Sequence, residues 1–367
     1  MNIKKIVKIS VGVLLSILLI TIIITAIPRV SNPSPAYQTD LKYGPPVSQE
    51  ISAILTPKVA PDRDRAIIVL ENENIVFEYG PTDKIMNTAS VRKSLIGLLY
   101  GIAVYKNLID INKTLQELNI DEYTRLTKEE KSATIQDLLM AKSGVYLPSQ
   151  GEHDAQITHR PERGSHTPGS YFFMNNFDAN VLGTIFTQET GVSLGVFMEE
   201  HLAKPLAMQD FSEDNVIIGD PWFWPKKKSM HKQYYMYLST RDLARIGAMV
   251  ANNGRWNEKQ VVPADWIKKS ITAHSDLRDN HLDYGRYDGF GYQWWLASDT
   301  KEVRADGYGG KFLLIYPEEN RTIVEQNFSG NSLLSTGLWL INKKRDSGIN
   351  DLLIAHRMMS QTDSIHY

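Results

Sequence analysis

The chain has 367 residues and a formal net charge of −2, with 40 Lys and Arg against 42 Asp and Glu, and it contains no cysteine. This charge balance offers no basic face for nucleic acid, so no nucleic-acid partner is expected. The absence of cysteine excludes disulfides, thiolate metal sites, cysteine nucleophiles and a lipid-modified N-terminal cysteine.

The N-terminus has the pattern of a membrane segment. Three lysines precede an uncharged apolar run at residues 9–27, and Arg29 closes it. That length spans a bilayer core, and small residues at cleavage spacing are lacking near 25–27, so an uncleaved signal anchor at residues 1–29 is favoured over a removed signal peptide. Positive charge before the run places the rest of the chain on the periplasmic or extracellular side of the cell membrane.

The remainder divides into three parts. Residues 30–50 contain four prolines among polar residues and are interpreted as an extended linker. Residues 51–345 are predicted to form one folded domain, and residues 346–367 a polar tail.

The domain shows strand signals near both ends and helical periodicity between them. Residues 65–79 predict a β-hairpin around Glu71–Asn74. Helices are predicted at 134–140, 177–190, 239–253 and 332–342, and strands at 289–296, 311–316 and 322–328. The order favours an α+β fold in which one sheet, built from distant parts of the chain, carries a helical insertion.

The stretch from Asn87 to Tyr105 opens with polar residues and continues as an apolar helix. Ser90 and Lys93 are three residues apart in its first turn, and therefore lie on one helix face. A helix start also favours an oxyanion. The spacing is the one that a serine nucleophile with a lysine base requires.

The Ser-x-x-Lys spacing occurs three times, at Ser90, Ser229 and Ser298. Only the first copy opens an apolar helix, where burial can depress the pKa of a lysine. The alternative for Ser90 is a capping serine beside a solvated lysine, and residues 87–105 alone leave it open.

A rival nucleophile is Ser193, in the pattern Gly-x-Ser-x-Gly at residues 191–195. That motif requires a preceding strand. Residues 180–190 predict a helix that Gly191 ends, so the pattern disfavours Ser193.

Two further groups have competing interpretations. His153, His159 and His166 lack metal-ligand spacing and are treated as loop residues, and neither a metal nor a cofactor is expected. The aromatic loop at residues 221–225 either fills a core or lines a pocket through Trp222 and Trp224.

From about Ile51 to Asn342 the chain resembles the serine β-lactamase-like hydrolases, the branch containing class C β-lactamases, D-alanyl-D-alanine carboxypeptidases, family VIII esterases and 6-aminohexanoate-dimer hydrolases. Short motifs occur in that family's order. They are Ser90–Ser94, Asp137–Val145, Pro168-Gly169 before Asn175-Asn176, Val181–Gly183, Lys204–Met208, Ser239–Arg245, Gly291–Trp295 and Gly307–Gly310.

The resemblance implies an antiparallel sheet flanked by helices, a mostly helical second lobe and an active site between them. It implies that Ser90 attacks a carbonyl, that Lys93 takes its proton, and that the N–H groups of Ser90 and Tyr308 form the oxyanion hole. Asn176 and Gly307 would contact substrate, and so would Met174 and Asp306, which occupy family motif positions.

Two departures from the family pattern stand out. The family's second motif is Tyr-x-Asn, and Met174 holds the place of its proton-relaying tyrosine; a thioether carries no proton, so Tyr146 and Tyr171 are considered as substitutes. At the third motif the chain has Ala305-Asp306-Gly307, without the cation that would hold a substrate carboxylate. Asp306 is expected to repel anions, which favours a neutral or cationic ester or amide substrate.

Three hypotheses follow. The first is a membrane-anchored serine hydrolase forming an acyl-enzyme at Ser90, attenuated by Met174. The second is a catalytically silent penicillin-binding-protein-like module that binds a cell-wall or small carbonyl ligand, or a protein partner. A structural membrane protein is disfavoured because it leaves Ser90 and Lys93 without a purpose.

Overall fold

The computed structural model describes residues 30–56, 65–219, 228–278, 282–327 and 349–365, together with Ser16, Leu18, Leu19 and Thr21. The helices are α1 (Gln49–Leu55), α2 (Val91–Tyr105), α3 (Ile135–Leu139), α4 (Asp154–Thr158), α5 (Asn176–Thr190), α6 (Leu194–Met198), α7 (Thr240–Ala251), α8 (Ala264–Ser270) and α9 (Ile349–Ile365).

The strands of the main sheet are β1 (Lys42–Tyr43), β2 (Arg65–Glu71), β3 (Asn74–Tyr79), β9 (Ser275–Asp276), β10 (Gly289–Phe290), β11 (Trp295–Ala297), β12 (Glu302–Gly307), β13 (Lys311–Tyr316) and β14 (Arg321–Asn327). The shorter strands are β4 (Met86–Asn87), β5 (Val216–Ile218), β6 (Tyr234–Leu238), β7 (Arg255–Trp256) and β8 (Lys259–Gln260).

The main sheet joins the two ends of the domain. Its order is β1-β3-β2-β14-β13-β12-β11-β10-β9, and its neighbours are antiparallel except for β1 and β3. Strand β2 pairs with β14 in register from Glu71 opposite Arg321 to Arg65 opposite Asn327. The first and last strands that the sequence predicts are therefore direct neighbours.

Helices cover both faces of this sheet. Successive side chains of a strand point to opposite faces, so Ile68 and Leu70 pack in the core that contains α2 and α7, while Ile67 and Val69 pack with residues of α1 and α9. Burial of β2 on both faces explains its continuous run of apolar residues.

A mostly helical lobe lies in sequence between β4 and β5. Helices α3, α5 and α6 contribute Leu138, Phe177, Val181 and Phe197 to the same core as α2. Helix α2 is therefore buried by the sheet on one side and by this lobe on the other, and 13 of its 15 residues are buried. The antiparallel sheet, the flanking helices and the helical lobe agree with the α+β fold predicted from the sequence.

Most of the predicted elements correspond to observed ones. The hairpin at 65–79 is β2 and β3, with its turn at Asn72 and Glu73, both at positive φ. The helices predicted at 134–140, 177–190 and 239–253 are α3, α5 and α7.

The strand predicted at residues 289–296 is wrong as a continuous element. It is divided into β10 and β11, since Gln293 between them has φ of +65° and its amide nitrogen donates to the Leu139 carbonyl at 3.0 Å. A turn there lets the chain return along the sheet edge.

The ends of the chain differ from the expectations in part. Residues 349–365 of the predicted polar tail form α9, whose Leu352 and Ala355 are fully buried against the sheet. Part of the predicted linker is also structured, because β1 pairs with β3 and α1 begins at Gln49.

Other predictions fall outside the described residues: the helix at 332–342, and most of the anchor at 9–27, of which Ser16, Leu18, Leu19 and Thr21 are helical. Within the part of the chain that the structure describes, no helix is both long enough and apolar enough to cross a membrane.

Candidate active site

The turn before α2 fixes the position of Ser90 through hydrogen bonds to strand β6. The amide nitrogen and the hydroxyl of Thr88 both donate to the Met236 carbonyl of β6, at 3.0 and 2.9 Å. Ala89 follows with φ of +49°, a conformation that costs a non-glycine residue about 1–3 kcal/mol. Ser90 is the N-cap residue of α2, but its side chain makes no capping hydrogen bond, so its hydroxyl is not occupied by the helix.

Ser90 opens into a cavity of about 720 Å³. Its walls come from the start of α2, the segment 151–156, the start of α5 and the end of β12. Of the site residues predicted from the sequence, the cavity brings together Ser90, Lys93, Met174, Asn176, Asp306, Gly307 and Tyr308. Trp222 and Trp224 lie outside the described residues.

Lys93 is the buried base candidate on this wall, with 5% of its surface exposed. Burial and, after it, the positive charge of Arg92 lower the pKa of its ammonium to about 7, against the opposing effect of the Asp178 carboxylate. A lysine with this pKa is uncharged in a large fraction of molecules at neutral pH and can accept the proton of a hydroxyl.

Met174 lies directly beside this amine, with its Sδ 3.7 Å from Lys93 Nζ. A thioether accepts only a weak hydrogen bond and has no proton to give. Neither tyrosine considered as a substitute is among the cavity-lining residues. Tyr171 stacks on His166 with ring centres 4.0 Å apart, and the buried hydroxyl of Tyr146 has no hydrogen-bond partner.

Asn176 fixes the cavity wall opposite Lys93. Its amide nitrogen donates to the carbonyls of Gln150 and Gly151, and its Oδ1 receives the Gln156 amide at 3.5 Å. Gln156 also donates to the Met174 carbonyl at 3.3 Å, which leaves its buried Oε1 without a partner. The polar groups of Asn176 therefore bind the protein itself, and contact with substrate stays a prediction.

The end of β12 passes close to the nucleophile. A Cβ atom on Gly307 would lie 2.5 Å from the Thr88 carbonyl oxygen, so only glycine permits this approach. Tyr308 follows at once, half exposed, on the cavity wall that also contains Ser90. The N–H groups of Ser90 and Tyr308 are thus on neighbouring segments, as a two-donor oxyanion site needs.

The charge of Asp306 is balanced in a way that the sequence analysis missed. Arg304, whose side chain is 8% exposed, donates from Nε to the Asp306 carboxylate. The guanidinium lies over the rings of Tyr287 and Phe312, at 5.2 and 4.8 Å from their centres. Because this ion pair offsets the negative charge of Asp306, the sequence analysis overestimated how strongly Asp306 repels anions.

The other candidate serines have structural partners. Ser193 caps α6 by accepting from the Val196 amide at 3.2 Å, and a helix rather than a strand precedes it, so the nucleophile-elbow pattern is not realised there. Ser229 and Ser298 donate to the carboxylates of Glu122 and Asp288.

Three residues in or near the cavity, Arg92, Gln156 and Asp178, were not singled out from the sequence, and His153 was treated there only as a loop residue. Arg92, His153 and Gln156 line the cavity, and Asp178 is buried in α5. Burial and the charge of Lys93 both lower the pKa of His153. Burial raises the pKa of Asp178 to about 7, against the hydrogen bond that its carboxylate accepts from the Ser143 hydroxyl at 2.6 Å. A first-turn position could have suggested Arg92, but no sequence pattern distinguishes the other three.

Known proteins share this architecture. The family model described as Beta-lactamase matches residues 64–325. An uncharacterized protein of Alkalihalophilus pseudofirmus is 23% identical over 297 residues, covering 71% of this chain and 82% of the relative. A Bacillus anthracis structure provisionally assigned as a 6-aminohexanoate-dimer hydrolase has a TM-score of 0.62 at 18% identity and 92% coverage of both chains.

Two further structures are similar. The octameric penicillin-binding protein homologue from Pyrococcus abyssi has a TM-score of 0.57 at 17% identity, covering 81% of this chain and 77% of its own. A family VIII carboxylesterase has a TM-score of 0.55 at 14% identity, covering 80% and 92%. At these identities the structures establish the fold, and the family match establishes that this chain belongs to the serine β-lactamase-like family.

Proposed function

We propose that this protein is a serine hydrolase that transfers the acyl group of a small ester or amide through an acyl-enzyme at Ser90. One observation carries the proposal: the buried amine of Lys93 lies in the first turn of the helix that Ser90 begins, and both residues line one cavity. Burial is also the main reason that the pKa of this amine is lowered to about 7. A buried amine with so low a pKa is the form of lysine that activates a hydroxyl at neutral pH.

The reaction uses groups on the cavity wall. Lys93 Nζ takes the proton of Ser90 Oγ as that oxygen attacks the carbonyl carbon. The oxyanion accepts hydrogen bonds from the N–H groups of Ser90 and Tyr308, each worth about 3 kcal/mol in the transition state. When the tetrahedral intermediate collapses, the leaving alcohol or amine takes the proton back from Lys93, and water then hydrolyses the Ser90 ester.

The substrate class follows from size and charge. The cavity of about 720 Å³ has room for a small molecule or a short peptide-like segment. Arg304 offsets the charge of Asp306, and Arg92 adds a cation, so a neutral ester or amide fits this wall better than a cationic one. The sequence favoured a neutral or a cationic ester or amide substrate, and the charges on the cavity wall now favour the neutral one.

A second candidate function rests on Met174. Its thioether is 3.7 Å from Lys93 Nζ, at the place where the family pattern puts a tyrosine that relays protons. Without that relay, slow acylation or none would leave a module that binds a carbonyl ligand in the same cavity and does not turn it over.

Covalent labelling separates the two functions. The full-length chain in detergent is incubated with an alkyl fluorophosphonate and its intact mass is measured, beside Ser90→Ala as the control. We expect one adduct that the control lacks. Folded wild-type protein without an adduct would favour the silent binding module.

We also propose that residues 9–27 anchor the chain, with the hydrolase domain on the extracytoplasmic side. The proposal rests on the apolar run and the lysines before it. Carbonate-washed membranes should retain a chain whose intact mass includes residue 1. A chain that the wash releases and that begins after residue 27 would instead indicate a cleaved signal.

A further inference from the structure

Among the residues that the structure describes, Arg92 is a buried cation without a counter-ion. It is 2% exposed, lies between Ser90 and Lys93 in the first turn of α2, and lines the cavity. Its Nη1 donates to the Ala89 carbonyl at 3.2 Å, and its guanidinium carbon is 5.0 Å from the centre of the Tyr234 ring. Its Nε and Nη2 are buried and have no hydrogen-bond partner.

Other buried arginines of the described chain differ from Arg92 in having carboxylate partners. Arg65 pairs with Glu325 at 2.9 Å, and Arg321 pairs with Glu71 at 2.7 Å and with Glu319 at 2.9 Å. Taking a charge out of water without a partner is strongly unfavourable. The unpaired charge of Arg92 next to Ser90 therefore lowers the stability of the fold. Packing does not explain why a charged residue occupies this position, which suggests a role at the site.

We propose that Arg92 is a positioning residue, which holds Lys93 in its uncharged form and fixes the strained turn that presents Ser90. The inference rests on the proposed function, because the uncharged form of Lys93 matters only if Lys93 acts as the base. The two effects come from different atoms. The unneutralised charge acts on the neighbouring amine, while Nη1 holds the carbonyl of Ala89, the residue at φ of +49°.

The other charges around Lys93 do not replace Arg92. Asp178 of α5 faces the amine and favours its charged form. His153, at the start of α4, is not a competing cation, because burial lowers the pKa of its imidazole. Asp154 and Asp306 also line the cavity, and Arg304 pairs with Asp306. Burial is the largest cause of the lowered Lys93 pKa, and among the described residues Arg92 supplies the next contribution, as a permanent cation that opposes these carboxylates.

Two variants separate charge from hydrogen bonding. Arg92→Met removes both, and Arg92→Lys keeps the charge but shortens the reach to the Ala89 carbonyl. The titration of Lys93 is followed by ¹⁵N NMR of the lysine amines in full-length Ser90→Ala protein, with the signal assigned from Lys93→Met. The rate of fluorophosphonate labelling is measured against pH with Ser90 intact.

With Arg92→Met we expect the titration midpoint of Lys93 to rise by about one pH unit or more, because a nearby positive charge is lost. From a pKa of about 7, such a rise cuts the uncharged fraction at pH 7, and with it the labelling rate, about fivefold. Arg92→Lys should keep the midpoint but lower the alkaline plateau of the rate, since the turn is less well held.

Thermal melting confirms that each variant is folded, and Arg92→Gln replaces Arg92→Met if the latter does not fold. An unchanged Lys93 midpoint in the folded neutral variant would overturn the inference. If wild-type protein does not label at all, the proposed function fails, and the NMR titration still decides whether Arg92 controls Lys93.

Discussion

Two helices of this protein begin with a serine followed by buried charged residues, and they use them in opposite ways. At the start of α7, Ser239 precedes Asp242 and Arg245; at the start of α2, Ser90 precedes Arg92 and Lys93. All four charged side chains are at most 5% exposed, but α7 carries an acid and a base while α2 carries two bases. The two pairs also differ in their partners.

At α7 the polar groups are nearly all satisfied. Ser239 accepts from the Asp242 amide at 3.2 Å, and the Asp242 carboxylate accepts the amides of Gln209 and Asp210 at 2.6 and 2.8 Å. Arg245 donates to the carbonyls of Leu206 and Thr39 and to the Gln209 side chain. This cluster ties the chain before β1 and the end of the helical lobe to one helix.

At α2, by contrast, the polar groups of Ser90, Arg92 and Lys93 are only partly hydrogen-bonded among the described residues. Ser90 makes no capping bond, Arg92 has two unpartnered nitrogens, and Lys93 has a thioether as its neighbour. Buried polar groups are normally hydrogen-bonded, so an open cluster at a cavity is retained at a cost in stability. The hydrogen-bonded charges at α7 therefore stabilise the fold, whereas the unpaired charges at α2 mark the proposed site of acyl transfer.

The largest effect expected from this contrast follows Lys93→Met. The variant should lower the rate of Ser90 labelling by about 10²- to 10⁴-fold, because it removes the base that takes the hydroxyl proton. In the wild type, the rate should rise with pH through the Lys93 pKa of about 7, since only the uncharged amine is a base.

Labelling kinetics between pH 5 and 9 measure both effects. Lys142→Met is the matched control: burial also lowers the pKa of Lys142, but it donates to the His274 carbonyl at 2.8 Å and does not line the cavity. A flat pH profile in the wild type would contradict Lys93 as the base.

The second prediction concerns the satisfied cluster. Asp242→Ala should lower the free energy of unfolding by about 3–5 kcal/mol, because it leaves Arg245 buried without its carboxylate and two amides without an acceptor. Urea unfolding measures the loss. The folded fraction should label at the wild-type rate, and a labelling defect in folded protein would show that α7 also supports the site.

The sequence predicted the elements of the fold and of the site that depend only on local sequence pattern. The hairpin of β2 and β3, the helices α2 and α5, and the strands β13 and β14 have apolar periods and turn residues that need no tertiary information. Ser90 could be selected because only one of the three Ser-x-x-Lys copies opens an apolar helix.

The rest depends on contacts distant in the chain. Periodicity does not place Arg92 in the interior, because α2 is enclosed by the sheet and the helical lobe together and buries nearly every residue. Asp306 could not be paired from its spacing, since Arg304 shares its strand face only once β12 forms. Helix α9 was missed because its polar composition conceals a short apolar face at Leu352, Ala355 and Met359.

The smallest of these three effects tests the open cluster at α2 by adding a group that can carry a proton. Met174→Tyr places a phenol beside Lys93, where the thioether now lies 3.7 Å from Nζ. We expect labelling, and any hydrolysis of a simple ester, to rise by about tenfold, below the usual range for a general acid or base because the surrounding wall is shaped for methionine.

Met174→Phe is the matched control, since it supplies the same ring without the hydroxyl. Met174 packs beside Phe172 and Trp295, so both variants change the packing of the same aromatic cluster. An equal rise in the two variants would assign the effect to packing. A rise in Met174→Tyr alone would identify residue 174 as the position where this chain lacks a proton relay, and an unchanged rate in folded Met174→Tyr would contradict that placement.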